Sequence, residues 1–491
     1  MGHIQNGNTL QNGRHSYIWI AVASVLMIFA NGRWIVPAAS WLGPVFLIRF
    51  LRSQSRLKGL LIAYVLLTAT FFISWRGAAP IPFITYYILI GLLTGLVLLL
   101  PFILDRLIFF RFSGFLATLV LPVSWVAVDF INAKLSPYGH WGMIAYTQHG
   151  NLPLLQILSI TGIWGVTFLM AWFASTVNWV WENNADWGKI RNGLAVYAGI
   201  LVMVLLFGGT RLILFPPHAN TVRIASVSAL VPRSSISHLT EEEKAAKVLD
   251  DRKIHDTLFN RSKIGASSGA KLILWAEANA QVEKAHESKL IERGQRFAKK
   301  ENVHLAMSLF TAIPDQYRRE NKTIVIDSSG EIISVYFKSR PPPGEPSVIG
   351  DGIIPVLNTP FGKISSVICS DMDSPFHLRQ QSVKAGIDIM LAPSWDWPEI
   401  TPIHTWMTAF RGIENGFSIV RQANDGLSQA SDYHGNILAS MNHYNTDEHI
   451  MISQVPTKGT TTVYSRIGDV FPWLCIVALT LMIGKTVIRK K

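Results

Sequence analysis

Hydrophobic positions along this chain fall into two regimes. Up to about residue 215 they come in long, nearly unbroken stretches, at about 17–31, 34–51, 59–75, 82–104, 113–133, 152–181 and 193–215, and one more follows at 468–488. Most approach the roughly 20 residues an α-helix needs to cross a bilayer, so about eight transmembrane helices are expected. The first stretch, preceded by Arg14, also has the form of a secretory signal peptide. No convincing small-x-small cleavage site follows it, and WIVPAASWLGPVFLIRFL continues at once as the second arm of a helical hairpin.

Between the seventh and eighth stretches the apolar runs become short and alternate with polar helical segments. TVRIASVSALV (221–231), KLILWAE (271–277), VHLAMSLF (303–310), GKISSVICS (362–370), IDIMLAPS (387–394) and FSIVRQAN (417–424) read as strands. KTIVIDSSGEIISVYFK (322–338) reads as a hairpin turning through Ser-Ser-Gly, and DYHGN (432–436) as the turn of another. Helices are expected over Thr240–His255, around Ser288–Lys300 and Phe376–Ala385, and in TWMTAFRGIENG. The pattern predicts a membrane domain of seven helices over 1–215, a globular α/β domain over 216–466, and a last transmembrane helix over 467–491.

Composition agrees with the membrane part: 49% of residues are hydrophobic and only 15% charged, too apolar for a water-soluble chain of 491 residues. The net charge of +12 would suggest nucleic acid, but the globular segment holds about 27 basic and about 27 acidic residues and is neutral. A nucleic-acid partner is therefore excluded. The excess lies in short loops: Arg49, Arg52, Arg56 and Lys58; Arg106 and Arg111; Lys189 and Arg191; Arg489, Lys490 and Lys491. If eight spans alternate, these share one side, the cytoplasm by the positive-inside tendency. The globular domain then lies outside the cytoplasm, with both termini inside.

The fourteen histidines are scattered and no metal-ligand spacing occurs, so no metal is expected. Of two cysteines, Cys475 lies in the last apolar stretch and Cys369 at the end of a buried strand, positions unsuited to a disulfide. Glu277, Lys338 and Cys369 each end a separate strand, the edge where α/β sheets place their chemistry. Singly they have ordinary readings: a charge opening a helix, a solvated lysine, a small hydrophobe. Order and surroundings make them specific.

In the order Glu, Lys, Cys, within LILWAEA, VYFKSRPPPGE and CSDMDSPFHLR, they resemble the catalytic triad of the carbon–nitrogen hydrolase (nitrilase) superfamily. Pro375 and Arg379 fall at that family's spacing, and LAPSWDWP, RGIENG and VRQANDG resemble further signatures. The spans, with SPYGHWGMIAYTQHGNLPLLQILSITGIWGVTFL (136–169), narrow the resemblance to the apolipoprotein N-acyltransferases, membrane-embedded members of that superfamily. Asp371 stands where those enzymes commonly carry glutamate, and PPPGE shortens by one residue the path from the lysine to Glu345.

The resemblance implies an extracytoplasmic, nitrilase-like αββα sandwich in a bacterial inner membrane. It implies Cys369 as nucleophile, Glu277 as general base and Lys338 as oxyanion stabiliser, with no cofactor and a monomeric protein. A phospholipid would donate an acyl chain, and the α-amine of a diacylglyceryl-cysteine at a lipoprotein N-terminus would accept it. Glu345 and Asp371 are candidates to orient the lysine or the amine, ordinary loop charge being the alternative. Trp395 and Trp397 are candidates for an acyl-chain groove, or else interface anchors. A membrane-bound amidase that passes its thioester to water is the alternative function, favoured by Asp371.

Overall fold

The computed structural model describes residues 16–78, 84–217, 220–231 and 241–488, so the charges at Arg14 and at 489–491 lie outside the described residues. The chain divides into two compact units, Met1–Gly209 with Asp469–Lys491, and Thr210–Gly468.

Each expected apolar stretch contains a helix of the first unit: Ser16–Ile28, Pro37–Ser53, Arg56–Ser74, Ile84–Ile108, Val120–Leu135, Ile163–Glu182, Trp187–Leu214 and Val470–Ile488. Among the described residues, six helical segments are long and apolar enough to cross a membrane, against the eight expected. The difference lies at the start, where the first two helices have 13 and 17 residues, the second opening on Pro37. The stretch 152–181 is also not one helix. Short turns at Leu152–Leu155 and Leu158–Thr161 precede Gly162, whose φ of 64° breaks the helical path.

One buried ion network ties three of these helices together. Arg52 pairs with Asp105 at 2.9 Å and with Glu182 at 3.0 Å, so the C-terminal ends of Pro37–Ser53, Ile84–Ile108 and Ile163–Glu182 meet at one end of the unit. This is the arrangement that alternating spans require of the second, fourth and sixth stretches. Small residues let helices approach closely: a Cβ on Gly95 would lie 3.1 Å from the Cα of Thr68.

The second unit is two packed sheets. Its strands are β1 (Thr221–Val227), β2 (Leu272–Trp275), β3 (Ala280–Glu283), β4 (His304–Ala312), β5 (Glu320–Ile326), β6 (Ile332–Phe337), β7 (Leu357–Thr359), β8 (Gly362–Ser366), β9 (Ile389–Trp395), β10 (Ser418–Asn424), β11 (Leu427–Ser431), β12 (Ile437–Asn442) and β13 (Ile450–Pro456). One sheet runs β13-β1-β2-β4-β5-β6 with β3 on β4, and the other β12-β11-β10-β9-β8-β7. Alternation along the strands decides what each face buries. Val222, Ile224, Leu272 and Leu274 meet Ile364, Ile389, Leu391 and Val420 between the sheets. On the far side of the first sheet, Ala225, Ile273 and Trp275 pack against Leu258, Phe259 and Leu290 from the helices Glu241–Ser267 and Lys284–Glu301. Met390, Ala392 and Ile419 cover the far side of the second sheet with Leu378, from the helix Pro375–Ala385. The layers are helix, sheet, sheet, helix. β3, β7 and β13 were not expected from the sequence: the first two have four and three residues, and β13 earns its place by pairing antiparallel with distant β1.

Trp275 anchors the first helical layer. It is fully buried, donates to the Ser262 hydroxyl at 2.9 Å and meets Phe259 edge-on at 5.1 Å. Trp275→Ala should cost about 3–5 kcal/mol through the cavity it leaves, and Trp275→Phe about 1–2 kcal/mol through the lost hydrogen bond. Thermal unfolding of both variants in detergent checks this, and equal midpoints would show that the ring's packing carries no such weight.

Candidate active site

β8 ends at Ser366, and the chain then turns sharply into a 3-10 helix, Cys369–Asp373. Cys369 opens it with φ 48°, a left-handed conformation that costs a non-glycine residue roughly 1–2 kcal/mol. Asp371, fully buried, holds the turn from within. Its Oδ2 accepts from the Ile368 N–H at 3.0 Å and the Tyr336 hydroxyl at 2.9 Å; its Oδ1 accepts from the N–H groups of Ser339 (3.1 Å) and Arg340 (2.8 Å) and the Ser339 hydroxyl (3.1 Å). The Ser370 hydroxyl adds a bond to the Arg340 carbonyl at 2.7 Å. Asp371 thus fastens the cysteine turn to the loop that follows Lys338.

Lys338 directly follows β6 and is 1% exposed, so its ammonium needs compensation inside the protein. It donates to Glu277 Oε1 at 2.8 Å and to Glu345 Oε2 at 2.5 Å. Asn321, on the neighbouring β5, donates its amide to Glu277 at 2.7 Å and to Glu345 at 3.3 Å, and its carbonyl accepts the Lys338 N–H. Glu277 lies two residues beyond β2, before a second left-handed residue, Ala278, with φ 52°. Asn279 pins that turn to the backbone of Ala229 at 2.6 and 2.9 Å.

The Trp395 backbone adjoins both Glu277 and Cys369. Glu277 Oε2 accepts the Trp395 N–H at 2.8 Å, and the Cys369 sulfur lies 3.9 Å from the Trp395 carbonyl. In an extended strand the N–H and C=O of one residue face the same side. The carboxylate and the thiol therefore approach the same edge of β9, just past the point where β8 ends.

Charge in this pocket favours a protonated thiol at rest. Burial, then the Glu277 carboxylate, push the Cys369 thiol well above its ordinary pKa, with Lys338 opposing them. Burial works against the charge on Lys338, but Glu277 and Glu345 overcome it and hold the ammonium firmly protonated. The thiol is ionised here only as its proton is taken.

A second buried charge cluster adjoins the sulfur, and it was not anticipated. Asp396 accepts from both ends of the Arg421 guanidinium (2.7 and 2.9 Å) and lies 2.9 Å from His404 Nδ1, while His404 Nε2 lies 3.2 Å from Asp373. Cys369, Asp396 and His404 present atoms within 4.8 Å of one another. With a guanidinium occupying both oxygens of Asp396, this is the chemistry of an ion-pair network and not of a cation site. Asp396 and Arg421 lie within LAPSWDWP and VRQANDG; a charge inside an otherwise apolar strand was the available signal.

The two tryptophans part company. Trp395 reaches the site through its backbone, its indole donating instead to Asp425 at 3.0 Å. Trp397 is half-buried, precedes the turn Pro398–Ile400 and offers its carbonyl to Thr401 at 3.2 Å.

Residues 201–463 match the family model for the carbon-nitrogen hydrolases, and residues 23–176 match that for the apolipoprotein N-acyltransferase N-terminal domain. An apolipoprotein N-acyltransferase of Geobacter metallireducens is 25% identical over 75% of this chain and 74% of its own length. Another, of Rickettsia typhi, is 24% identical over 79% and 81%. Among solved structures, an amidase from Nesterenkonia sp. is 18% identical over 51% of this chain and 94% of its own, with a TM-score of 0.42. More than half of its length lies in the first of these models, so the chain belongs to the carbon-nitrogen hydrolase family, and ahead of that domain it carries the N-terminal domain of the apolipoprotein N-acyltransferases.

Proposed function

We propose that this protein is an N-acyltransferase that moves a fatty acyl chain from a phospholipid, through a thioester on Cys369, to the α-amine of a diacylglyceryl-cysteine at a lipoprotein N-terminus. The observation that carries the chemistry is the Trp395 backbone, which holds the Glu277 carboxylate on its N–H and the Cys369 sulfur beside its C=O. The names of the relatives supply the substrates.

Among the described residues Glu277 Oε2 receives only the Trp395 N–H, which leaves it an acceptor position for the thiol proton. As that proton leaves, the sulfur attacks the ester carbonyl of the lipid. The carbonyl oxygen gains negative charge and is met by the Lys338 ammonium and the Ser370 N–H, which has no other partner among the described residues. Glu277 returns the proton to the leaving glycerol oxygen, and lysophospholipid departs. In the second half the lipoprotein amine attacks the thioester, Glu277 takes its proton, and the thiolate leaves and is reprotonated. Ester and amine become amide and alcohol, with the thiol restored and no cofactor required.

A diacyl lipid explains why such a domain is joined to membrane helices, since small amides reach a soluble hydrolase through water. The same reading puts the protein in a bacterial inner membrane as a monomer. Membrane helices would cover 1–215 and 467–491, both termini would be cytoplasmic, and the catalytic domain at 216–466 would be periplasmic. Trp397 would contact the acyl chain. Asp371 gives the hydrolase alternative no support, because its oxygens are taken up in holding the cysteine turn and the Lys338 loop.

Incubated with an equimolar mixture of phosphatidylethanolamine and phosphatidylglycerol in detergent, the protein should gain one acyl mass by intact-mass spectrometry, and Cys369→Ala should gain none. A diacylated lipopeptide should discharge the adduct far faster than water does. Equal discharge by water would identify a hydrolase, and no adduct on the parent would overturn the reading.

Asp371→Asn replaces an acceptor-only group by one whose amide end must face N–H and O–H donors. We expect acyl transfer to fall about 10- to 100-fold with little change in KM, as for a misplaced catalytic group. Steady-state kinetics test this, and a loss confined to KM would count against it.

A further inference from the structure

We propose that His404 is a positioning residue, an imidazolium clamp that grips Asp373 on the cysteine turn with one nitrogen and Asp396 at the end of β9 with the other. The inference rests on Cys369 being the nucleophile.

Two pieces of backbone must keep their spacing for the proposed reaction. One is the 3-10 turn carrying Cys369; the other is the end of β9, where Trp395 touches both Glu277 and the sulfur. His404, on the helix Ile403–Asn415, is 2% exposed and within ion-pair reach of both pieces, 2.9 Å from Asp396, which follows Trp395, and 3.2 Å from Asp373, which closes the turn. Arg421, on β10, fixes Asp396 bidentately from the other side. The ring can serve both carboxylates at once only when each nitrogen carries a proton.

The charged and titratable groups around the ring are Asp373, Asp396, Arg421 and Cys369. Arg421 lies 3.0 Å from Nδ1, and because Nδ1 donates to Asp396 this is a contact between like charges. Burial and Arg421 both work against the imidazolium. Asp373 and Asp396 outweigh them and raise its pKa to about 9. The folded value exceeds the ordinary one of 6.5, so the clamp is complete at neutral pH and lost as pH rises through about 9. A neutral ring keeps one N–H and must release one carboxylate.

The test is the rate of thioester formation on Cys369, with the same two-lipid mixture and no amine acceptor, from pH 6 to 10 for the parent, His404→Gln and Asp373→Asn. The parent should lose rate along a limb near pH 9. In D373N, with one carboxylate removed from the ring, that limb should move down by about one pH unit. In H404Q it should disappear, with a rate about 100-fold lower at pH 7 and a KM for lipid within about twofold of the parent's. A merely structural histidine would change the amount of folded protein and leave the limb where it was. An unmoved limb in D373N overturns the clamp whether or not H404Q folds, as does a parent rate with no limb below pH 10. Absence of any adduct on the parent overturns the acyl-transfer reading and the clamp with it.

Discussion

A lysine ammonium almost fully removed from water must be compensated locally, because the desolvation of one unpaired charge exceeds what any single contact returns. Lys338 meets that constraint with two carboxylates, and much of the second unit is arranged to deliver them. Glu277 comes from the end of β2, Lys338 from the end of β6 in the same sheet, and Glu345 from the loop beyond. One cation sits between two anions, and burial, with the Glu277 charge added to it, keeps the neighbouring thiol protonated. Moving the thiol proton to Glu277 keeps the net charge of the pocket constant while creating the nucleophile. For the proposed reaction, the placement of Glu277 beside the cysteine matters more than an acidic cysteine.

The two side chains approach each other's neighbourhood at a junction between sheets. Glu277 belongs to one sheet and Cys369 to the other, and they meet at the Trp395 backbone because the β-sandwich core brings β2 over β9. Two left-handed residues, Cys369 and Ala278, mark the places where the chain leaves its strand abruptly enough to turn a side chain into the junction. Their strain is held by side chains dedicated to it, Asp371 for the first turn and Asn279 for the second. Asp371 meets five donors and has no capacity left for substrate.

The strands and the residues at their ends were legible because short β-branched runs announce buried strands and three chemically capable residues stood at their C-termini. Glu345 and Asp371 were legible as charges close in sequence to those ends. Asn321, Asp396, His404 and Arg421 were not, since their partners lie up to 44 residues away and no local spacing encodes them. Trp395 was singled out for its ring and acts through its backbone, which residue identity does not reveal. The stretch 152–181 was read as one span because hydropathy averages over a window, whereas a single positive φ at Gly162 ends a helix. β13 shows the opposite limit: its alternation is ordinary, and only its partner β1, more than two hundred residues earlier, makes it part of a sheet.

The path between Lys338 and Glu345 is set by local geometry. Three consecutive prolines stiffen this segment, so it has few conformations to lose on folding. The Glu345 N–H then bonds to the Pro342 carbonyl at 3.1 Å, and Gly344, at φ 92°, supplies the turn that sends the chain back toward the ammonium. The Ser347 hydroxyl bonds to Glu345 Oε1 at 2.5 Å, and a backbone bond from Val348 to Arg319 ties the loop to the stretch leading into β5. Glu345 therefore reaches Lys338 by a tight turn, and the pocket keeps its second carboxylate. The loop beside Cys369 is tied down at both ends of that turn, by the Lys338 ammonium on one side and by Arg319 on the other.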